Sequence, residues 1–222
     1  MDIELNAVEA RVLGALIEKA VTTPDYYPLT LNGLTAACNQ KSNRDPVMAL
    51  EERQVVRALD GLRDQGLAVQ KTLADARVPK YGHTIERALD LTPQELGTLC
   101  VLLLRGPQTP GEIRSRTGRL CEFHDLAEVE TLLDALASRP DGPVVVKLPR
   151  QPGRREHRYA HLLCGAVAVE SVGVGEAPPE PATQAVRAED ERIAALEQEV
   201  ATLHDAVAEL RQRFADFARQ FE

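Results

Sequence analysis

Between Cys38 and Met48 the chain reads CNQKSNRDPVM. Asn39, Gln40, Lys41, Ser42, Asn43 and Arg44 stand in one run there. Amides, hydroxyls and cations of this kind bind phosphate oxygens, and Asn or Gln can pair with adenine as Arg can with guanine. Arg53 and Arg57 follow closely. A second basic stretch, KLPRQPGRREHRY, carries Lys147, Arg150, Arg154, Arg155 and Arg158, with Arg114 and Arg116 upstream of it. Arginines on such a hairpin can lie along a phosphate backbone or enter a narrow minor groove. The chemistry on offer is therefore recognition of a polyanion. A plainer reading competes at each place. Asn, Ser and Asp also bond their own backbone in turns, and Arg44-Asp45-Pro46 can lock a loop, with Asp45 pairing Arg44. Glu51 and Glu52 stand where phosphates would approach, and a basic hairpin tip can simply be solvated.

The elements that must position these residues follow from periodicity. Val8, Val12, Leu16 and Ala20 recur four apart, and Leu13 and Ile17 share their face, which predicts a helix over Leu5 to Val21. Pro24 and Pro28 break it, and Thr30 opens a second helix ending at Cys38. A third is expected from Glu51 to Gln65, stopped by Gly66. Extended stretches at Leu67 to Leu73 and Val78 to Ile85 complete a winged helix-turn-helix. The polar run falls at the turn between its second and third helices. Tyr26 and Tyr27 are read as wedges that pack the loop ahead of the second helix.

The same order returns downstream. EARVLGALIEK at Glu9 lies over ELGTLCVLLLR at Glu95, Val55, Leu59 and Leu62 lie over Val129, Leu133 and Leu136, and KYGH at Lys80 lies over RYAH at Arg158. The second copy predicts helices at Pro93 to Leu104, Pro110 to Thr117 and Asp125 to Arg139, then strands at Val144 to Leu148 and Glu156 to Leu163. Its third helix carries Asp125, Glu128, Glu130 and Asp134 and no cation before Arg139, so phosphate would be repelled there. The expected fold class is mainly α with small β-hairpin wings (α+β). Two tandem winged helix-turn-helix domains, 1–91 and 92–165, precede a flexible linker at 166–184 and a coiled coil at 185–222.

TTPDYYPLTLNGLTAACNQKSNRDPVM followed by RVPKYGH resembles the YceH family of bacterial proteins, similar across roughly Ile3 to Leu163 of this chain. The resemblance implies two winged-helix domains and no established biochemical activity. One departure stands out. Family members tend to carry Ser or Thr ahead of the third helix as its cap, and this chain has Leu50-Glu51-Glu52.

The tail reads differently. Val186, Ile193, Val200, Val207, Phe214 and Phe221 fall seven apart, and Leu196, Leu203, Leu210 and Phe217 fill the positions three later. This spacing predicts a coiled-coil seam and a homodimer, with Ile193, Leu196, Val200, Leu203, Val207, Leu210, Phe214 and Phe217 as its contacts. The tail also holds most of the net charge of −8, because 166–222 carries 5 Lys and Arg against 12 Asp and Glu. Residues 1–91 carry 11 against 13 and 92–165 carry 10 against 9, so the body is nearly neutral and bulk charge decides nothing about DNA.

No catalytic constellation is visible: there is no G-x-x-x-x-G-K, no G-x-S-x-G and no H-E-x-x-H. Neither the 5 histidines nor the 4 scattered cysteines have zinc spacing, so no metal or cofactor is expected. The run Leu99 to Leu104 is far short of the roughly 20 apolar residues a membrane span needs, and MDIELNAVEA is unlike a signal peptide. The sequence thus predicts a cytoplasmic, non-enzymatic protein that binds duplex DNA, with a protein-interaction adaptor as the alternative.

Overall fold

The computed structural model describes residues 3–71, 78–150 and 156–165. The expected linker and coiled-coil residues lie outside these, as do Arg154 and Arg155. What is described is a mainly helical α+β body with two small antiparallel sheets.

Helix α1 runs from Ala7 to Thr22, and its start is fixed reciprocally: Asn6 Oδ1 accepts from the Val8 and Glu9 amides at 2.9 and 3.0 Å, and Glu9 accepts from the Asn6 amide at 2.8 Å. After a turn of 3-10 helix at Pro24–Tyr26 comes β1 (Leu29–Thr30), then α2 (Leu31–Cys38), α3 (Glu52–Asp64), β2 (Ala68–Lys71), β3 (Lys80–His83) and the short α4 (Ile85–Ala88). β3 lies between β1 and β2, antiparallel to both, with Leu29 opposite Tyr81 and Gln70 opposite Tyr81 on the other side.

The second half repeats this order. It comprises α5 (Pro93–Arg105), α6 (Pro110–Thr117), α7 (Leu126–Ala137), β4 (Val145–Lys147) and β5 (Tyr159–His161). Thr92 and Glu95 cap α5 as Asn6 and Glu9 cap α1, and Thr109 caps α6 where Thr30 caps α2. The counterpart of β1 shrinks to one bridge, in which Gln108 and Tyr159 exchange backbone hydrogen bonds of 3.0 and 2.7 Å. The third helix of this half, expected over Asp125 to Arg139, runs from Leu126 to Ala137: Asp125 is its cap, the carboxylate accepting from the Glu128 amide at 2.9 Å, and Ser138 caps its end.

The α3 cap resolves the departure at Glu51. Gln54 reaches back and its side-chain oxygen accepts from the Glu51 amide at 2.9 Å, so the reciprocal half of a capping box serves in place of a hydroxyl. Of the two adjacent tyrosines, Tyr27 packs as expected and its hydroxyl accepts from the His83 amide at 2.6 Å. Tyr26 does not: it is 76% exposed.

One hydrophobic core runs through both halves. Leu13, Leu16 and Ile17 of α1 and Leu99, Leu102 and Leu103 of α5 are buried in it, and the two helices pack against each other. Gly14 allows their approach, for a Cβ there would come within 2.9 Å of Leu104. The ends meet as well, with the Leu5 amide donating to the Leu163 carbonyl at 2.7 Å. No helix among the described residues is long and apolar enough to cross a membrane.

Candidate nucleic-acid interface

The run from Asn39 to Pro46 joins α2 to α3, and Asn39, Gln40 and Arg44 turn inward from it. Asn39 acts as a clamp: its amide nitrogen donates to the Leu50 carbonyl at 2.8 Å, and its oxygen accepts from the Leu50 amide at 2.7 Å. Both ends of the loop are thereby held. Asn43 takes a left-handed φ of 59°, which Asn tolerates better than most residues. Its side chain accepts a hydrogen bond from Arg105 of α5.

Arg44 is only 1% exposed, so it is placed to hold the loop rather than to reach a polyanion. Its guanidinium grips both oxygens of Glu18, at 3.1 and 2.6 Å, and also donates to the carbonyls of Ala37 (2.9 Å) and Asn43 (2.8 Å) and to Gln40 Oε1 (3.0 Å). The partner carboxylate therefore comes from α1, 26 positions upstream, and not from the adjacent Asp45. Asp45 instead donates its amide to the Leu104 carbonyl at 2.9 Å. Burial pushes the Glu18 carboxyl up, but the bonds and charge of Arg44 and then Lys19 outweigh it and hold the group below the usual carboxylate range.

Arg11, also 1% exposed, donates to the carbonyls of Cys38 at 3.2 Å and Pro46 at 2.5 Å. Burial, and then the charge of Arg44, lower its pKa. Cys38 sits beside these arginines, yet burial still pushes its thiol up to about 12. Gln40 accepts from Lys19 as well as from Arg44. Of the run, Lys41, Ser42, Asn43, Asp45 and Pro46 are exposed.

On α3 the side chains of Arg53, Gln54, Arg57 and Asp64 face solvent. Arg53 pairs with Glu51 at 2.6 Å, both largely exposed. Arg57 has no ion pair or side-chain hydrogen bond among the described residues.

The cations of the second half are more engaged. Arg116 donates to Gln108 Oε1 and lies 3.8 Å from Glu112. Arg158 donates to the Pro107 carbonyl at 2.7 Å and to Glu112 at 3.3 Å. Exposed Arg114 donates to the His124 carbonyl at 3.1 Å. Lys147 lies 5.6 Å from the Tyr159 ring centre, and Arg150 donates to His157 Nε2 at 3.1 Å. Exposed residues of α7 include Asp125 at its cap, then Leu126, Glu130 and Asp134, so that helix presents acid. No cluster of His, Cys, Asp or Glu that could hold a metal ion occurs among the described residues.

Sequence reasoning missed Arg11, Glu18 and Lys19. Arg11 and Glu18 are seven apart on α1, two turns along one face, which is the one signal that could have joined them.

A family model described as "Protein of unknown function, DUF480" matches residues 5–154. The UPF0502 protein GSU0233 of Geobacter sulfurreducens is 59% identical over 223 residues, spanning 100% of both chains. A UPF0502 protein of Geobacter metallireducens is 57% identical, again over 100% of both. One from Vibrio campbellii is 52% identical over 201 residues, covering 89% of this chain and 90% of its own.

Proposed function

The chain belongs to the YceH-like DUF480 (UPF0502) family, and on that premise we propose that it is a cytoplasmic, non-enzymatic tandem winged-helix protein that binds duplex DNA and regulates transcription. The order α1, β1, α2, α3, β2, β3, with β3 between its neighbours, supports a winged helix in the first half, and α5, α6, α7 followed by the β4–β5 pair supports one in the second. The observation that carries the DNA reading is the outer side of α3. Arg57 stands there exposed and unpaired among the described residues, one turn after Arg53 and Gln54. In a helix-turn-helix this helix enters the major groove, and Arg and Gln are base-edge readers. Lys41, exposed on the preceding loop, is the matching phosphate contact. Arg150, Arg154 and Arg155 would add a second, sequence-independent contact from the second wing. A homodimer formed through the tail residues Val186 to Phe221 would present two such bodies to one duplex.

A second reading, an adaptor that binds a protein, is favoured by α7, where Glu130 and Asp134 are exposed beside Leu126, and by the local bonds of Arg116 and Arg158. Fluorescence anisotropy of a labelled random-sequence duplex separates the two. Binding that weakens steeply between about 50 and 200 mM salt is the expected result. Absence of binding at the lower salt would remove the DNA reading and leave the adaptor.

A further inference from the structure

A cavity of about 270 Å³ opens between α1, α4 and α5. Its walls are mostly apolar, with Ile17 and Ala20 on one side and Leu91 and Leu96 on the other, and His83 and Glu86 form a polar edge. Val21, 40% exposed, also lines it. The volume lies just below the range of sites that hold drug-sized ligands, so a small metabolite fits it better than a nucleotide.

The polar edge is not what folding alone requires. The His83 side chain is 6% exposed and its Nδ1 lies 2.7 Å from Glu86 Oε2. The two side chains therefore pair with each other at the edge of the cavity. The second half shows that a histidine at this place needs no acid. His161 holds the matching position in RYAH, and three residues later stands Cys164 where the first half has Glu86. Burial holds His83 below its ordinary value against the pull of Glu86. The Glu86 side chain is 39% exposed, within reach of a ligand in the cavity.

The geometry points to a binding site for a small amine with an apolar or aromatic body. The body would lie against Ile17, Ala20 and Leu96, and the ammonium would donate to Glu86. The site is independent of any DNA contact, and no residue proposed for that contact lines it.

Saturation-transfer NMR on the full chain tests the site with three probes of one shape: phenethylamine, phenethyl alcohol and 3-phenylpropionate. The amine is expected to saturate at about 1 mM, with the alcohol about tenfold weaker and the acid weaker still. Glu86→Gln should bring the amine down to the level of the alcohol, and Ala20→Phe, which fills the cavity, should abolish both. Should Ala20→Phe fail to fold, the Glu86→Gln comparison decides alone. Failure of the amine to saturate by about 10 mM, equal affinity for amine and alcohol in the unaltered protein, or unchanged amine binding in Glu86→Gln would each overturn the assignment.

Discussion

Replacement of Arg44 by Ala is the sharpest test of the loop between α2 and α3. The guanidinium is buried and holds five acceptor atoms: two oxygens of Glu18, the carbonyls of Ala37 and Asn43, and Gln40 Oε1. Without it the Glu18 carboxylate, whose side chain is 12% exposed, keeps only Lys19, at 2.9 Å, as an ion-pair partner among the described residues. Breaking one side of a buried ion pair typically costs about 3–5 kcal/mol. Since Lys19 remains, the lower end applies, about 3 kcal/mol. For a chain of this size each kcal/mol moves the melting temperature by roughly 2–4 °C, so a fall of about 6–12 °C is expected. Thermal melts followed by circular dichroism measure it, with Lys41→Ala as the exposed control that should not move. Adding Glu18→Ala to Arg44→Ala should recover part of the loss, because the unpaired carboxylate goes too. A fall of less than about 2 °C for Arg44→Ala alone would show that the arginine does not hold the loop.

Asn39→Ala removes both clamps on Leu50 and should destabilise by about 1–3 kcal/mol, read from denaturant midpoints at unchanged slope. Arg53→Ala with Arg57→Ala should weaken duplex binding and flatten its salt slope by roughly one unit for each phosphate no longer neutralised, at unchanged melting temperature; an unaltered slope would return both residues to the solvent. Burial pushes His161 down to about 4 from its ordinary 6.5. Its folded state thus binds protons less readily than the unfolded chain, so its contribution is complete above pH 6.5 and is lost as pH falls toward 4, about 3 kcal/mol in all. Melts of the unaltered protein and His161→Phe between these limits should diverge, the variant losing less. Light scattering should give a dimer for the full chain and a monomer for one ending at Gly165; a full-length monomer would remove the tail from the account.

Much of the fold is written in local signals. The bounds of α6, Pro110–Thr117, follow from a Thr-Pro start and a Thr-Gly end, and α1 and α5 follow from their periodicity and shared caps. Strand β1 leaves no such trace, because two residues carry no periodicity and only pairing with β3 makes them a strand. The site was harder. Asn39, Gln40, Lys41 and Arg44 are alike as sequence, all polar and suited to anions, yet Lys41 faces solvent and Arg44 is sealed inside. What separates them is Glu18, on another helix, and sequence spacing does not show which carboxylate a cation will meet. Tyr26 and Tyr27 teach the same lesson. They are adjacent and identical, and one finds the His83 amide while the other finds water.

Helices α1 and α5 are the same element of the two repeats, and they meet at Gly14 and Leu104. Self-complementary subunit interfaces are built this way, from one patch used on both sides. Here both sides belong to one polypeptide, so dilution cannot dissociate them and no assembly step limits their formation. The polar loop adds to the seam, since Asp45 bonds to Leu104 and Asn43 to Arg105 across it. Amide exchange in the two halves should consequently report one shared opening free energy rather than two. Damage to either repeat would then be felt by the whole body, including any surface that the other repeat presents to a partner.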